Sequence, residues 1–300
     1  MSPSRYEKSK KVEECPEKIE QSYQIWVDVL GSLAYQKRQH QSPAFDPTTG
    51  AAIVAFDAKA TTHAYFGGGA AYAYSHIHED KNAGHANINQ EYLFIYGLWD
   101  NTKLYFDAAL WAGLFQTENI RKIHMTGFDF QSKSHPKGWQ LEPHFEIGYD
   151  LSSDSYDETF EPYVMLDWIS NWQGSYKEKG SGPFNAGQKN HYSSFLRSEA
   201  GGRFYQTVRY CTWNLVFQEK VGYVNKKPFN VGTVNAFLVG APGSFTVETL
   251  TTPQNLCVAE LQMIFESNDP KGAYGSIDYQ LEYGSMYQSH VVSLNVNWSF

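Results

Sequence analysis

The chain closes on Ser289-His290-Val291-Val292-Ser293-Leu294-Asn295-Val296-Asn297-Trp298-Ser299-Phe300. From Val292 onward every second residue is apolar: Val292, Leu294, Val296, Trp298 and Phe300. The residues between them, Ser293, Asn295, Asn297 and Ser299, are polar. Successive side chains of a strand point to opposite faces. This stretch therefore reads as one long strand with an oily face and a wet face. An edge strand of a soluble sandwich has the same pattern, so the rest of the chain must decide between the two.

The pattern recurs upstream. Leu141, Pro143, Phe145, Ile147, Tyr149 and Leu151 alternate with Gln140, Glu142, His144, Glu146 and Asp150. Ile277, Tyr279, Leu281 and Tyr283 alternate with Ser276, Asp278, Gln280 and Glu282. Cys257, Ala259, Leu261, Met263 and Phe265 are set against Glu260, Gln262 and Glu266. Period-two alternation predicts twelve strands: Trp26–Gln36, Gly50–Lys59, Thr62–His78, Gly84–Trp99, Lys103–Thr117, Gly138–Leu151, Thr159–Gln173, Tyr192–Gln206, Cys211–Val224, Leu256–Glu266, Ala273–Gly284 and Ser289–Phe300. Many exceed the 5–6 residues usual in soluble sheets. They approach the 9–11 that cross a bilayer at a tilt.

Composition points the same way. Aromatic residues make up 16% and charged residues 19%, where soluble domains carry roughly 25% charged residues. No apolar run approaches the ~20 residues of a membrane helix. The net charge of −8 argues against a nucleic-acid partner. Three cysteines without CxxC spacing define no disulfide framework or metal motif.

The connections sort by parity. Those after odd strands are long (Lys37–Thr49, Glu118–Lys137, Gly174–His191, Asn225–Asn255), with the third and eleventh as shorter exceptions. Those after even strands are tight: Ala60–Thr61, Asp100–Thr102, Ser152–Glu158, Thr207–Tyr210 and Ser267–Gly272. Outer-membrane barrels have short turns on the periplasmic side and long loops outside. Trp26, Trp99, Trp139, Trp172, Trp213 and Trp298 lie at or near predicted strand ends, where aromatic girdles form. The expected fold is all-β: a twelve-stranded antiparallel up-and-down transmembrane β-barrel.

Residues 1–24 differ from the rest. They are densely charged and contain no Gly, and Pro16 precedes Glu17 as at a helix start. They read either as an unstructured linker or as a short helix in a polar pore. The barrel domain is 25–300. No apolar signal segment follows Met1, so an exported protein of this sequence is expected to be part of something longer.

A terminal Phe after alternating apolar residues and a Trp resembles the C-terminal signal of bacterial outer-membrane barrels, carried here by Leu294, Val296, Trp298 and Phe300. Twelve strands behind a charged segment resemble the translocator domain of autotransporters (type V secretion). Ile25-Trp26-Val27-Asp28-Val29-Leu30-Gly31 is similar to that family's first strand, and Thr49-Gly50-Ala51 to its Thr-Gly-Gly step. Leu141-Glu142-Pro143-His144-Phe145 and Phe160-Glu161-Pro162-Tyr163-Val164 resemble its proline-containing strands. Gly240-Ala241-Pro242-Gly243-Ser244-Phe245 resembles one of its loops. The resemblance implies an outer-membrane protein of a Gram-negative-type bacterium that exports an N-terminal passenger and anchors it at the cell surface. It implies no enzyme activity and no cofactor. The partners it implies are the passenger, the barrel-assembly machinery, and outer-membrane lipid with lipopolysaccharide; the barrel itself is monomeric. The alternative is a free-standing twelve-stranded porin, adhesin or phospholipase.

Asp107, Glu142, His144, Glu146, Asp167, Arg197, Glu199, Arg203, Glu260 and Asp278 are expected to line the lumen. One reading of this set is a hydrolase or metal site; the favoured one is a solvated polar wall. As a solvated wall its acids pair with Arg197, Arg203, Lys220 and the linker lysines. His76 and His78 share a strand face but have no carboxylate at metal-motif spacing, and no His-x-Ser cluster of the phospholipase kind occurs. Gly67-Gly68-Gly69 is expected to relieve crowding or let a strand bend. Some autotransporters cut their linker by attack of an Asn side chain on the adjoining carbonyl. Residues 1–25 contain neither Asn nor Asp, so the passenger is expected to stay attached or to be released by a separate protease.

Overall fold

The computed structural model describes residues 23–38, 43–101, 103–151, 158–210, 212–230, 233–240, 243–248, 253–267 and 273–299. The linker 1–22, Cys211 and Phe300 lie outside the described residues. In chain order the strands begin with β1 (Tyr23–Gln36), β2 (Phe45–Thr61), β3 (Ala64–Glu79), β4 (Gly84–Asp100), β5 (Leu104–Met125) and β6 (Phe128–Ser134). There follow β7 (Lys137–Tyr149), β8 (Glu158–Gln173), β9 (Tyr176–Lys177), β10 (Ala186–Gln188), β11 (His191–Arg209) and β12 (Trp213–Phe229). The last are β13 (Thr233–Leu238), β14 (Phe245–Glu248), β15 (Gln254–Ser267), β16 (Ala273–Gly284) and β17 (Tyr287–Ser299).

Twelve of these close a barrel. β1, β2, β3, β4, β5, β7, β8, β11, β12, β15, β16 and β17 each pair antiparallel with the next, and β17 pairs back onto β1. That last seam runs from Gln24 opposite Ser299 to Gln36 opposite Tyr287. Closure leaves no unpaired edge, which a hydrocarbon environment requires. Among the described residues no helix is long and apolar enough to cross a membrane; the crossing elements are strands.

The packing is inside out for a soluble protein. Leu93, Leu114, Leu33 and Val29 are exposed on the outer wall. Arg203, Glu199, Gln218 and Asn297 are buried on the inner one. Soluble proteins rarely expose apolar surface on this scale, whereas a lipid-facing wall needs it. In β17, Val292, Leu294 and Trp298 are exposed, Val296 is half-buried, and Asn295 and Asn297 are buried.

The start of β1 and the end of β17 lie at one end of the barrel. The connections at that end span 62–63, 101–103, 150–157, 210–212 and 268–272, all short, which makes it the periplasmic end. At the other end β5 overshoots the barrel and folds back through Gly127, at a left-handed φ of 83°, into β6. The expected loop Glu118–Lys137 is thus largely a hairpin. β9, β10, β13 and β14 form a second sheet on this side, joined to β6 by a bridge between Lys133 and Lys179.

Proline leaves its mark where expected. In the β7–β8 ladder the pairs Leu141–Ser170 and His144–Asp167 keep one register, with no pairing between them at Glu142 and Pro143. Pro143 has no N–H to donate. The glycine run of β3 makes room for rings. A Cβ on Gly67 would strike Tyr96, and one on Gly69 would meet Phe94 and the Val54 carbonyl.

Candidate functional site

The barrel encloses a central cavity, and its wall is set by strand parity. Asp107 (β5), Glu142, His144 and Glu146 (β7), Asp167 (β8), Arg197 and Arg203 (β11), Lys220 (β12), Glu260 (β15) and Asp278 (β16) all line it. Glu199 is buried beside them and bonded to Arg197. These side chains come from seven strands, brought together by the curvature of one sheet.

Two ionic clusters hold the wall. Arg203, 1% exposed, donates to both carboxylate oxygens of Glu146 at 2.9 Å, to Glu161 at 3.1 Å and to the Tyr105 hydroxyl at 2.7 Å. Tyr105 in turn donates to Glu146 at 2.7 Å. The Tyr163 ring lies 4.1 Å from the guanidinium, and its hydroxyl donates to Glu199 at 2.5 Å. The two-toothed arginine–carboxylate contact is among the stronger polar contacts a protein makes. Desolvation offsets much of that strength.

The second cluster surrounds Arg197. It donates to Glu282 at 2.9 Å and Asp167 at 3.2 Å, and contacts Glu199. His144 Nδ1 lies 2.5 Å from Asp167. Lys226 binds Glu282 at 2.6 Å, and Lys220 binds Glu260 at 2.6 Å. Glu161, Glu282, Lys226, Tyr105 and Tyr163 complete these clusters but were not among the expected site residues. Parity reaches them too: Glu161 and Tyr163 alternate with Pro162 and Val164, as Asp167 does farther along β8.

The opposite side of the cavity, along β1, β4 and β5, is aromatic. Trp26, Phe94, Tyr96 and Trp111 line it. Trp26 corrects an expectation. It is not part of a girdle: it shares the inward face of β1 with Gln24 and Asp28, is 6% exposed, and donates its Nε1–H to Tyr96 at 2.8 Å. Tyr96 donates onward to Asp57 at 2.7 Å. Nearness to a strand end did not decide its facing; parity did. The other five tryptophans expected in the girdle lie on the outward face. Trp99, Trp213 and Trp298 are toward the periplasmic end, and Trp139 stacks on Trp172 at 3.7 Å toward the other. Tyr72 and Tyr223, also outward, donate to Asn89 and Asn255, each at 2.7 Å.

The arrangement concentrates charge on one wall. His144 is oriented by Asp167, yet among the described residues no hydroxyl or thiol is bonded to its other nitrogen. No group of three metal-ligating side chains is placed to hold an ion among them. His76 faces outward and is bonded to Asn87 at 2.7 Å. Cys257 is a free, exposed thiol on β15.

The cavity is acidic. Asp28, Asp107, Glu142, Glu146, Asp167, Glu260, Asp278 and Glu282 face Arg197, Arg203 and Lys220. One carboxylate oxygen each of Asp28 and Asp278 is buried with no hydrogen-bond partner among the described residues.

The autotransporter β-domain family matches residues 25–279. The chain belongs to that family. The autotransporter β-domain described here is an outer-membrane translocator of a Gram-negative bacterium, and export of an N-terminal passenger is the family's role. Its fold is similar to the translocator domain of autotransporter NalP from Neisseria meningitidis, with a TM-score of 0.73 at 15% identity, covering 93% of this chain and 88% of that one. It is similar also to the β domain of the Bordetella autotransporter BrkA, with a TM-score of 0.66 at 14% identity, covering 93% and 100%. The transport unit of AIDA-I from Escherichia coli gives a TM-score of 0.54 at 11% identity, covering 97% and 94%. No curated protein matches the sequence.

Proposed function

We propose that residues 1–24 of this translocator thread the lumen as the tether of an upstream passenger, and that the barrel 25–300 does no chemistry of its own. The acid excess of the lumen carries this reading. Its acids outnumber its cations, and Asp28 and Asp278 each keep one buried carboxylate oxygen without a hydrogen bond among the described residues, which suits the basic residues Arg5, Lys8, Lys10, Lys11 and Lys18 of the linker. A buried polar oxygen left unsatisfied is costly, and a lysine threaded past it offsets that cost. The linker has no Asn or Asp to attack its own backbone, so the tether does not sever itself by that route, and the passenger stays attached or is released by a separate protease. Leu294, Val296, Trp298 and Phe300 are the strand read by the barrel-assembly machinery, and the five outward tryptophans anchor a monomeric barrel at the two lipid interfaces.

Conductance in planar bilayers tests the tether. The 300-residue chain is expected to conduct several-fold less than a chain starting at Ile25. Equal conductance in the two would place the linker outside the pore.

A further inference from the structure

The outer hairpin carries a basic face on an acidic protein. Ile120 opposes Lys133, and Lys122 opposes Gln131, across β5 and β6. Ile120 and Lys133 therefore share the face that continues the lipid-facing side of β5. Arg121, Ser132 and Glu178 occupy the other face, toward the pore axis, where Arg121 grips Glu178 through two hydrogen bonds of 2.9 and 2.6 Å. Lys133 and Lys179 exchange backbone hydrogen bonds of 2.8 and 2.9 Å, which makes them a directly opposed pair. Lys177 lies two residues before Lys179 on the same side. Lys137 heads β7, two residues from Trp139 in the outer aromatic belt. All four lysines are exposed. None forms an ion pair among the described residues.

Like charges placed directly opposite in a sheet destabilise it. The nearby acids do not relieve them: Glu178 is taken by Arg121, Asp129 lies with His124 at the hairpin tip at 2.8 Å, and Glu118 stands lower on β5. Trp139 opposes Leu114, and Lys133 opposes Ile120, six residues farther along β5. At roughly 3.3 Å per residue and a tilt of about 40°, Lys133 stands ~15 Å above the outer aromatic belt. That is the level of lipid headgroup sugars, beyond the acyl chains.

We propose that this face binds the phosphorylated saccharide headgroup of an outer-leaflet glycolipid, with a phosphate seated between Lys133 and Lys179 and further phosphates on Lys177 and Lys137. The inference rests on this end of the barrel facing the cell exterior. Lysine supplies point charges to phosphate without demanding a fixed geometry, as suits a mobile headgroup. The outward-facing Trp139 and Trp172 below would pack on the lipid portion of the same molecule.

The test uses the full chain folded in detergent micelles. The probes are lipopolysaccharide with a phosphorylated core, the same material after dephosphorylation, and inorganic phosphate. The account expects Lys133→Gln/Lys179→Gln to weaken binding of the phosphorylated form at least tenfold. Lys103→Gln, at the periplasmic end, should leave it unchanged. Dephosphorylation should cost wild type a similar factor and the double variant little. Wild-type affinity in the double variant would overturn the proposal, and so would equal binding of both lipopolysaccharide forms by wild type. Inorganic phosphate competing at its own concentration as well as the glycolipid would reduce the face to a general anion site and overturn it too. Heat-modifiable gel mobility reports folding separately. If the double variant does not fold, Lys179→Gln alone should lower affinity severalfold and Lys133→Arg/Lys179→Arg should restore it; failure of either counts against the proposal. A barrel inserted in the opposite sense would show instead as protease-accessible turns on the outside of intact cells, leaving the binding result to stand by itself.

Discussion

Arg203 ties three strands of the lumen wall to its own. It is fully buried and shared by Glu146, Glu161 and Tyr105. Removing one partner of a buried ion pair leaves the others unpaired, which costs on the order of 3–5 kcal/mol. Arg203→Ala should therefore lower the urea midpoint of the folded barrel sharply, whereas Glu146→Gln/Arg203→Met should recover much of the loss. A shift of under ~1 kcal/mol for the single variant would mean that water already compensates these acids. The two faces of β17 give a second residue-scale contrast. Leu294 is exposed to lipid, while Ser293 lines the cavity and donates to Asp278 at 2.7 Å. An outward arginine near the midplane costs roughly 2–4 kcal/mol. Leu294→Arg should impair insertion, and Ser293→Arg, which brings a cation to an acidic wall, should not. Equal loss of heat-modifiable mobility in both would contradict the facing assigned here. At this scale the sequence was legible wherever parity was applied. Glu142, His144 and Glu146 follow from alternation alone. Trp26 was misplaced because its position near a strand end was weighed above its parity with Asp28.

Elements were read less evenly than residues. The twelve barrel strands are visible as alternation because one face is oily and the other wet, and that contrast exists only inside the bilayer. Above it both faces of β5 and β6 meet water or protein, so Glu118–Lys137 mixes Ile120, Arg121, Lys122, Ile123 and His124 without a clear period and reads as loop. The hairpin is held instead by cross-links such as Arg121–Glu178. Burial pushes the Glu178 carboxyl up, but the hydrogen bonds from Arg121 and the Ala186 N–H outweigh it and hold the carboxyl below the ordinary carboxylate range. A carboxyl with a lowered folded-state pKa stabilises in full above its unfolded value of about 4.3 and loses that contribution as pH falls through the folded value. Amide protection across 176–188, corrected for intrinsic exchange, should therefore fall as the pH drops below about 4.3 and through the lower folded-state value. Glu178→Gln should remove the same protection already at neutral pH; a variant as protected as wild type would show that this two-bond contact does not hold the second sheet. Strand glycines of β3 and β1 differ in what surrounds them. Gly69→Ala forces a Cβ against Phe94 and the Val54 carbonyl, while Gly31 in β1 has nothing within 4 Å of the same atom. Overpacking costs roughly 1–3 kcal/mol, so Gly69→Ala should lower the urea midpoint and Gly31→Ala should leave it unchanged or raise it slightly.

The whole molecule is a wall that separates two solvents. Its outer face matches hydrocarbon, its outward tryptophans lie toward its two ends, and its interior is an acidic cavity lined by Trp26, Phe94, Tyr96 and Trp111 on one side. Sorting of loop lengths made the two ends legible from sequence, because the periplasmic turns are confined while the outer loops are free to grow. The lumen's division into an ionic and an aromatic side was not legible, since it depends on which strands the closure sets opposite one another. The direct test of the translocator reading joins a signal peptide and an epitope ahead of Met1 and treats intact cells with protease. The account predicts that the epitope is lost from the cell surface while the barrel keeps its heat-modifiable mobility. A folded barrel in the outer membrane whose epitope stays protected until that membrane is broken would contradict it.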